Sequence, residues 1–595
     1  MNTQMNRREA LAWTAAGVLG AGAGWAFPEA SLAWLATEAM QSPCDVYPQV
    51  PGIGCERFIL PPEGLSDAQR AAALQQLLDY QTQQKAHTLG FQANQEIQYQ
   101  TDLQPFLDFH INNVGDPFQT GSFTLNSKWM ERAVLDYYAR LWNARWPHDP
   151  QDPESYWGYV LTMGSTEGNL YGLWNGRDYL AGKCLLDDPA AAEEAREASR
   201  DGRSRTVPQR IVYQQANAPQ EQPHAFSPIA FYSEDTHYSV VKAMRILAIP
   251  TFYEIGTNEY PGQCPLTSDG SWPHEVPSTD GGEGPGSIDL RALAMLVEFF
   301  AQKGYPILIN FNYGTTFKGA YDDVQGAERV LMPIFEKYGL NEREIVYQDG
   351  HRDVRRGFWI HVDAALGGAY MPFLEQAHAA GRFPYPIAPF DFRLPSVHSI
   401  VMSGHKWIGA PWPCGVFMTK TKYLLLPPAR PHYIGSADST LAGSRNGFSA
   451  IVLWDFLARH SQAAQTERAI RLQQLADYAF TQLQQLEKRK GDLWVARTPL
   501  SLTIRFRKAH PAIGLKYSLS NEVLFVQGQR REFSHIYMMQ HVTRERIDAL
   551  IRDLDQPDAF VAQEPERADD IERPLRYLAD GRPIQFVADW GRGFH

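Results

Sequence analysis

Cysteine is scarce in this chain of 595 residues, and its five copies, Cys44, Cys55, Cys184, Cys264 and Cys414, show no CxxC spacing. That speaks against a zinc site, which needs thiolates or imidazoles brought together in pairs. Cys44 and Cys55 pair if the mature chain meets an oxidising compartment and are two unrelated thiols otherwise. Long basic runs are missing too: the formal net charge is −12 and the pI is near 5.8. Without a basic stripe there is nothing to neutralise a phosphate backbone, so nucleic acid is not an expected partner. Beyond the first thirty or so residues no uncharged apolar run is long enough to span a bilayer, and no internal repeat is visible. What is present, 44% hydrophobic, 12% aromatic and 21% charged residues, describes a globular protein. The length implies two or three domains and, by default, small-molecule chemistry.

The N-terminus differs from everything after it. Arg7 and Arg8 precede an uncharged run from Ala10 to Phe27 rich in Ala and Gly, with "SLA" at 31–33. This resembles a twin-arginine export signal, which carries folded proteins to the periplasm. The alternative is an N-terminal helix that packs on the body or anchors in a membrane.

From 161 to 451, short apolar runs alternate with helical ones: 229–233, 240–249, 290–304, 306–312, 358–366 and 399–404. Strand, helix, strand at this spacing predicts an α/β fold with a mostly parallel sheet and helices on its faces. Ligands in such sheets bind at the carboxyl ends of strands. Helical patterns are expected at 66–89 and 128–142, and residues 187–210 and 262–287 read as surface insertions. A long helical region at 450–490, strands at 500–507 and 522–528 and a helix at 542–554 make a separate small C-terminal α+β domain. The expected limits are a signal segment 1–36, an N-terminal helical segment 37–135, a large domain 136–425, a small domain 426–558 and a tail 559–595.

Polar motifs fall at the junctions. "VMSGHKWIGAPWPCGVFMTK" (401–420) sets Lys406 between two apolar runs, where it is either a residue of a surface turn or a desolvated amine able to attack a carbonyl. "MGSTEGNLYG" puts Gly164, Ser165 and Thr166 at a helix start, which suits a phosphate or an ordinary cap. "HVDAALGG" ends a strand with Asp363, either a turn former or a partner that keeps a pyridine nitrogen protonated. "DTHYSV" supplies His237, a ring that stacks on a flat cofactor or caps a helix. "NYGTTFKGAYDD" adds Thr315, Thr316, Asp322 and Asp323.

The order of these motifs, together with "NNVGDPF", "PCGV" and "GSRNGF" (443–448), resembles the group II pyridoxal phosphate amino-acid decarboxylases over roughly residues 106–555. The motifs look most like the histidine decarboxylase branch, and the length is similar to bacterial valine and methionine decarboxylases. The resemblance implies a fold type I (aspartate aminotransferase-like) large domain and pyridoxal 5'-phosphate bound through Lys406. By the same resemblance Ser165, Thr166, Ser403 and His405 lie near the phosphate, and Asp363 pairs with the pyridinium nitrogen. His237 and Ala365 then lie on opposite ring faces, Thr316 lies near the ring edge, and Asp322 supports Thr316 or a neighbouring strand. Tyr433 takes the place of the proton-donating loop tyrosine, so an amine is the implied product; related enzymes with phenylalanine there tend to form aldehydes. A homodimer with an interface active site is implied as well, with Asn112, Asn113, Ser444 and Arg445 approaching cofactor or substrate. A neutral apolar amino acid of the Met, Val or Leu type is the expected substrate, with histidine, an aromatic amino acid or aldehyde synthesis as alternatives. A silent, exported binding protein is the contrasting class, and the presence of Lys406, Asp363 and His237 together argues against it.

Overall fold

The structure, a computed structural model, describes residues 44, 50–187, 211–347, 350–424 and 431–560. The expected signal segment and most of the expected tail lie outside them. So does the charged insertion beyond Asp187, although the strands flanking it, Lys183–Asp187 and Ile211–Gln215, pair with each other. The chain forms two compact units, residues 1–86 and 87–595. In the first, Cys44 and Cys55 are joined by a disulfide, and helix α1 (Asp67–His87) buries only Ala73 while Leu74 and Leu78 stay exposed.

The second unit is built on a six-stranded sheet. Its strands are β1 (Tyr156–Leu161), β2 (Ile229–Phe231), β3 (Ile307–Asn312), β4 (Phe358–Asp363), β5 (Val397–Ser403) and β6 (Gly415–Lys420). They lie in the order β1-β6-β5-β4-β3-β2. Only β6 runs against its neighbours, so the mostly parallel α/β expectation is what forms. Ile307, Ile309 and Phe311 of β3 enter the main core, while Leu308 enters a second cluster on the opposite face. Phe358, Ile360 and Val362 against Trp359 repeat this in β4. A sheet buried on both faces needs apolar side chains at both parities, which is why these strands read as unbroken apolar runs. Strand β1 has the same character but was not expected; it closes the sheet beside β6.

Helix α2 (Lys128–Leu141) covers β1, and helix α3 (Ser165–Leu180) lies across β4, β5 and β6. The fit of α3 depends on three glycines spaced four apart on one stripe. A Cβ on Gly168 would fall 2.2 Å from Val401 Cγ2, one on Gly172 2.8 Å from His361 Nδ1, and one on Gly176 2.8 Å from Trp359 Cδ1. Each glycine costs about 1 kcal/mol of helix propensity, and the stripe persists because the sheet surface occupies the space a methyl would need. Helices α4 (Tyr238–Leu247), α5 (Leu290–Gln302), α6 (Val324–Lys337) and α7 (Gly367–Ala379) complete the crossovers.

The expected helix at 450–490 is two, α8 (Gly447–Arg459) and α9 (Gln462–Lys490), because Ser461 caps a new start by accepting from Ala464 N. A separate sheet holds β7 (Thr503–Arg507), β8 (Ser520–Val526) and β9 (Gln529–Tyr537), with β9 in the middle, and α10 (Arg544–Leu554) follows it. The charged start of β9, "QRRE", hid it from a hydrophobic reading; its continuous burial begins only at Phe533. The stretch 262–287 is no simple surface insertion, since Trp272 and Val276 are buried and Val276 bridges to Ser233.

Replacing Gly172 by Ala should lower unfolding stability by about 1–3 kcal/mol through overpacking. Denaturant titration monitored by tryptophan fluorescence would measure it, and an unchanged midpoint would mean that α3 has room to spare.

Candidate active site

The strands deliver polar groups to one end of the sheet. Asp363 closes β4, Asn312 closes β3 and Ser403 closes β5, and the turn after β5 carries His405 and Lys406. Together with the start of α3 they line a cavity of about 220 Å³. Ser165, Thr166, His237, Thr316, Asp363, Ala365, Ser403, His405 and Lys406 all reach it. Gly164 stands directly behind the wall: its φ of +70° is a left-handed conformation suited to glycine, and a Cβ there would meet His405 Cε1 at 2.7 Å. Ser165 Oγ lies 2.6 Å from Ser403 Oγ, and Ser165 N donates to the same oxygen. Hydroxyls and the amide end of a helix therefore converge where an anion is favoured.

Asp363 is held from two sides. Its Oδ2 accepts from Asn169 Nδ2 at 2.7 Å and its Oδ1 from the Ala365 amide at 3.1 Å. Burial pushes the Lys406 amine down to about 8, with the Asp363 carboxylate opposing that shift. Burial likewise lowers His237, again against Asp363, and takes His405 down to about 4. Of the two roles expected of His237, the cap is present: His237 caps α4 by accepting from Ser239 N, and its ring lines the cavity.

Tyr433 does not join this group. It is 84% exposed and is not among the residues that line the cavity. Asn113 and Arg445 are also engaged elsewhere. Arg445 forms a fully buried ion pair with Glu131, whose Oε2 also accepts from Asn113 Nδ2 at 2.9 Å. Asn112 and Ser444 bond to each other at 3.1 Å. Asp322 accepts from the Asn312 and Ile288 amides at 2.6 and 2.7 Å, so it supports β3 from behind.

Four polar residues escaped the sequence reading: Asn169, Ser239, Asn312 and His361. All four sit inside or beside motifs that were singled out. The one available signal was His361, an imidazole in the middle of a strand that is otherwise apolar and buried.

The chain is similar to several known proteins. Residues 275–488 match the family model described as the pyridoxal-dependent decarboxylase conserved domain. The solved structure of L-methionine decarboxylase from Streptomyces sp. 590, complexed with L-methionine methyl ester, is similar at 46% identity with a TM-score of 0.77, covering 85% of this chain and 98% of that one. Histidine decarboxylase of Solanum lycopersicum is 29% identical over 483 residues, 81% of this chain and 88% of the relative. Serine decarboxylase 2 of Oryza sativa subsp. japonica is 27% identical over 497 residues, 83% of this chain and 80% of the relative.

A lysine with its amine near 8 attacks an aldehyde only when neutral. Capture of pyridoxal phosphate by the cofactor-free protein should therefore slow about tenfold per pH unit below 8. Stopped-flow absorbance from pH 6 to 10 should show the rate levelling off above about 8, and a rate still rising about tenfold per unit through pH 9 would contradict the depressed amine.

Proposed function

Because the chain belongs to the pyridoxal-dependent amino-acid decarboxylases, we propose that its own substrate is L-methionine, converted to carbon dioxide and 3-methylthiopropylamine. It is a carboxy-lyase with pyridoxal phosphate as cofactor. The choice of methionine is carried by the 46% identity to the Streptomyces enzyme across nearly its whole length, against 29% or less for the histidine and serine enzymes.

The cavity fits the cofactor through its donor set: a depressed amine for the aldehyde, hydroxyls at a helix N-terminus for the phosphate and a fixed carboxylate for the ring nitrogen. When bound, pyridoxal phosphate supplies a protonated pyridine that accepts the electron pair left when the carboxylate departs. Lys406 offers the amine to the cofactor's aldehyde. Ser165, Thr166, Ser403 and His405, given room by Gly164, hold the phosphate. Asp363 would keep the ring nitrogen protonated, and His237, Ala365 and Thr316, which line the same cavity, would hold the ring. An anion at Asp363 matters most, since a neutral pyridine is a weak acceptor of charge.

A homodimer completes the site in this reading. Met163 and Tyr238 are 56% and 67% exposed although both line the cavity, and Leu107, Phe109, Leu125 and Trp129 are exposed in the same unit. An unpartnered apolar surface of this kind suits a second copy. Tyr433 of each subunit then serves the cavity of the other as the proton donor to the former α-carbon, which its exposure and its absence from its own cavity support. Export through the twin-arginine route is the reading of residues 1–36, and it is supported by the Cys44–Cys55 disulfide, which suits an oxidising compartment. Among the described residues no helix is long and apolar enough to cross a membrane.

The test offers the loaded enzyme each common L-amino acid and measures amine and carbon dioxide. Methionine should give the highest kcat/KM, with no product from Lys406→Ala, which also loses the cofactor's visible band. A preference for histidine would overturn the substrate. Tyr433→Phe should lower amine yield and raise aldehyde; an unaltered ratio removes Tyr433 from its role.

A further inference from the structure

Behind Asp363 lies a chain of polar groups that the chemistry above does not use. Asn169 and His361 are fully buried, and Asn169 Oδ1 lies 2.9 Å from His361 Nε2. His361 Nδ1 lies 2.8 Å from Ser399 Oγ. The amide nitrogen of Asn169 faces Asp363 Oδ2 at 2.7 Å and Ser239 Oγ at 3.1 Å. Ser239 Oγ in turn is 2.8 Å from His237 Nδ1, which also accepts from Ser239 N at 3.3 Å.

One set of hydrogens satisfies every atom of this chain. His237 Nδ1 accepts from the Ser239 amide, so it carries no proton, and the Ser239 hydroxyl donates to it. Ser239 Oγ is then the acceptor for one Asn169 N–H, and Asp363 Oδ2 for the other. Asn169 must present its carbonyl to His361, so His361 Nε2 carries the proton and Nδ1 accepts from Ser399. Turning the Asn169 amide over would set its oxygen against the Asp363 carboxylate and leave His361 Nε2–H facing N–H groups. Burial holds the His361 imidazole down at about 4, so it stays neutral at physiological pH.

We propose that Asn169, oriented by His361, is the positioning residue of the site, holding Asp363 and His237 in register for the cofactor. One amide controls both the carboxylate meant for the ring nitrogen and, through Ser239, the tautomer of the imidazole meant for the ring face. A consequence is that His237 offers Nε2–H to the cavity, as a donor. His361 reaches Asn169 only because Gly172 has no side chain, since a Cβ there would overlap its ring. The inference rests on the proposed roles of Asp363 and His237, so the experiment tests those separately.

Affinity of the cofactor-free protein for pyridoxal phosphate, and the pH at which the bound cofactor's absorption changes, are measured for Asn169→Leu, His361→Leu, His361→Gln and Asp363→Ala. Far-UV circular dichroism checks that each is folded. Asn169→Leu and His361→Leu should each weaken affinity about tenfold, the loss of one hydrogen bond to a charged group, and move the spectral pH profile in the direction given by Asp363→Ala. His361→Gln, whose amide nitrogen can replace Nε2–H, should recover most of the loss. Wild-type affinity and profile in both Leu variants, with Asp363→Ala altering both, would overturn the relay and leave the role of Asp363 standing. An Asp363→Ala protein that matches wild type would overturn the role of Asp363 itself. If one Leu variant fails to fold, the other together with His361→Gln decides.

Discussion

Everything at the cavity depends on how closely α3 sits on the sheet. A helix with ordinary side chains at 168, 172 and 176 would ride higher by the thickness of a methyl layer. Its first turn, with Ser165 and Thr166, would then no longer meet Ser403, and Asn169 would no longer reach Asp363. The glycine stripe gives up about 3 kcal/mol of helix propensity over its three positions, and in exchange places a helix N-terminus beside the carboxyl ends of β4 and β5. Strand packing on both sheet faces makes that surface rigid enough for the fit to hold, because close-packed interiors do not absorb displacements of this size.

Polar groups in such a place must be paired, since a buried donor or acceptor without a partner costs about 1–3 kcal/mol. Several groups here meet this by serving each other. Asp363 takes hydrogen bonds from Asn169 and Ala365, Asn312 donates to Ser233 and Thr236, and Asp322 takes the Asn312 and Ile288 amides. Lys406 has no such arrangement: burial depresses it, and only the Asp363 charge works the other way. The difference fits the roles proposed for them, because groups that orient must be fixed and a group that reacts must give up its proton.

Elements with strong apolar character were legible in the sequence. The runs that became β3, β4 and β5 could not be much else, and motif order pointed to the site because each motif follows a strand and so falls at the same end of the sheet. Long-range pairings were not legible. Arg445 and Asn113 carry the charge and polarity of substrate-binding groups, but their partner Glu131 lies on helix α2, and nothing local in "GSRNG" announces it. Strand β9 was hidden because its charged half, 529–532, pairs with β8 alone, where pairing rather than hydrophobicity decides its state. Asn169 and His361 were hidden for a related reason: neither residue type is diagnostic alone, and their meaning comes from lying 2.9 Å apart.

Fixed dipoles act strongly on a developing charge only where water is kept out, and Asp363 and Ser403 on the inner walls are buried. At the mouth the residues are Met163 and Tyr238, a thioether and a phenol, both more than half exposed. Large apolar side chains at a rim gain nothing from solvent, and those in the groove at 106–112 and 444–448, lined by Phe106, Leu107, Phe109 and Phe448, gain no more. In the proposed homodimer, a second copy applied to either surface would remove its exposed side chains from water. The hydrophobic gain of association and the electrostatic requirement of the chemistry would then favour the same assembly, and Tyr433 is exposed and outside the cavity of its own subunit.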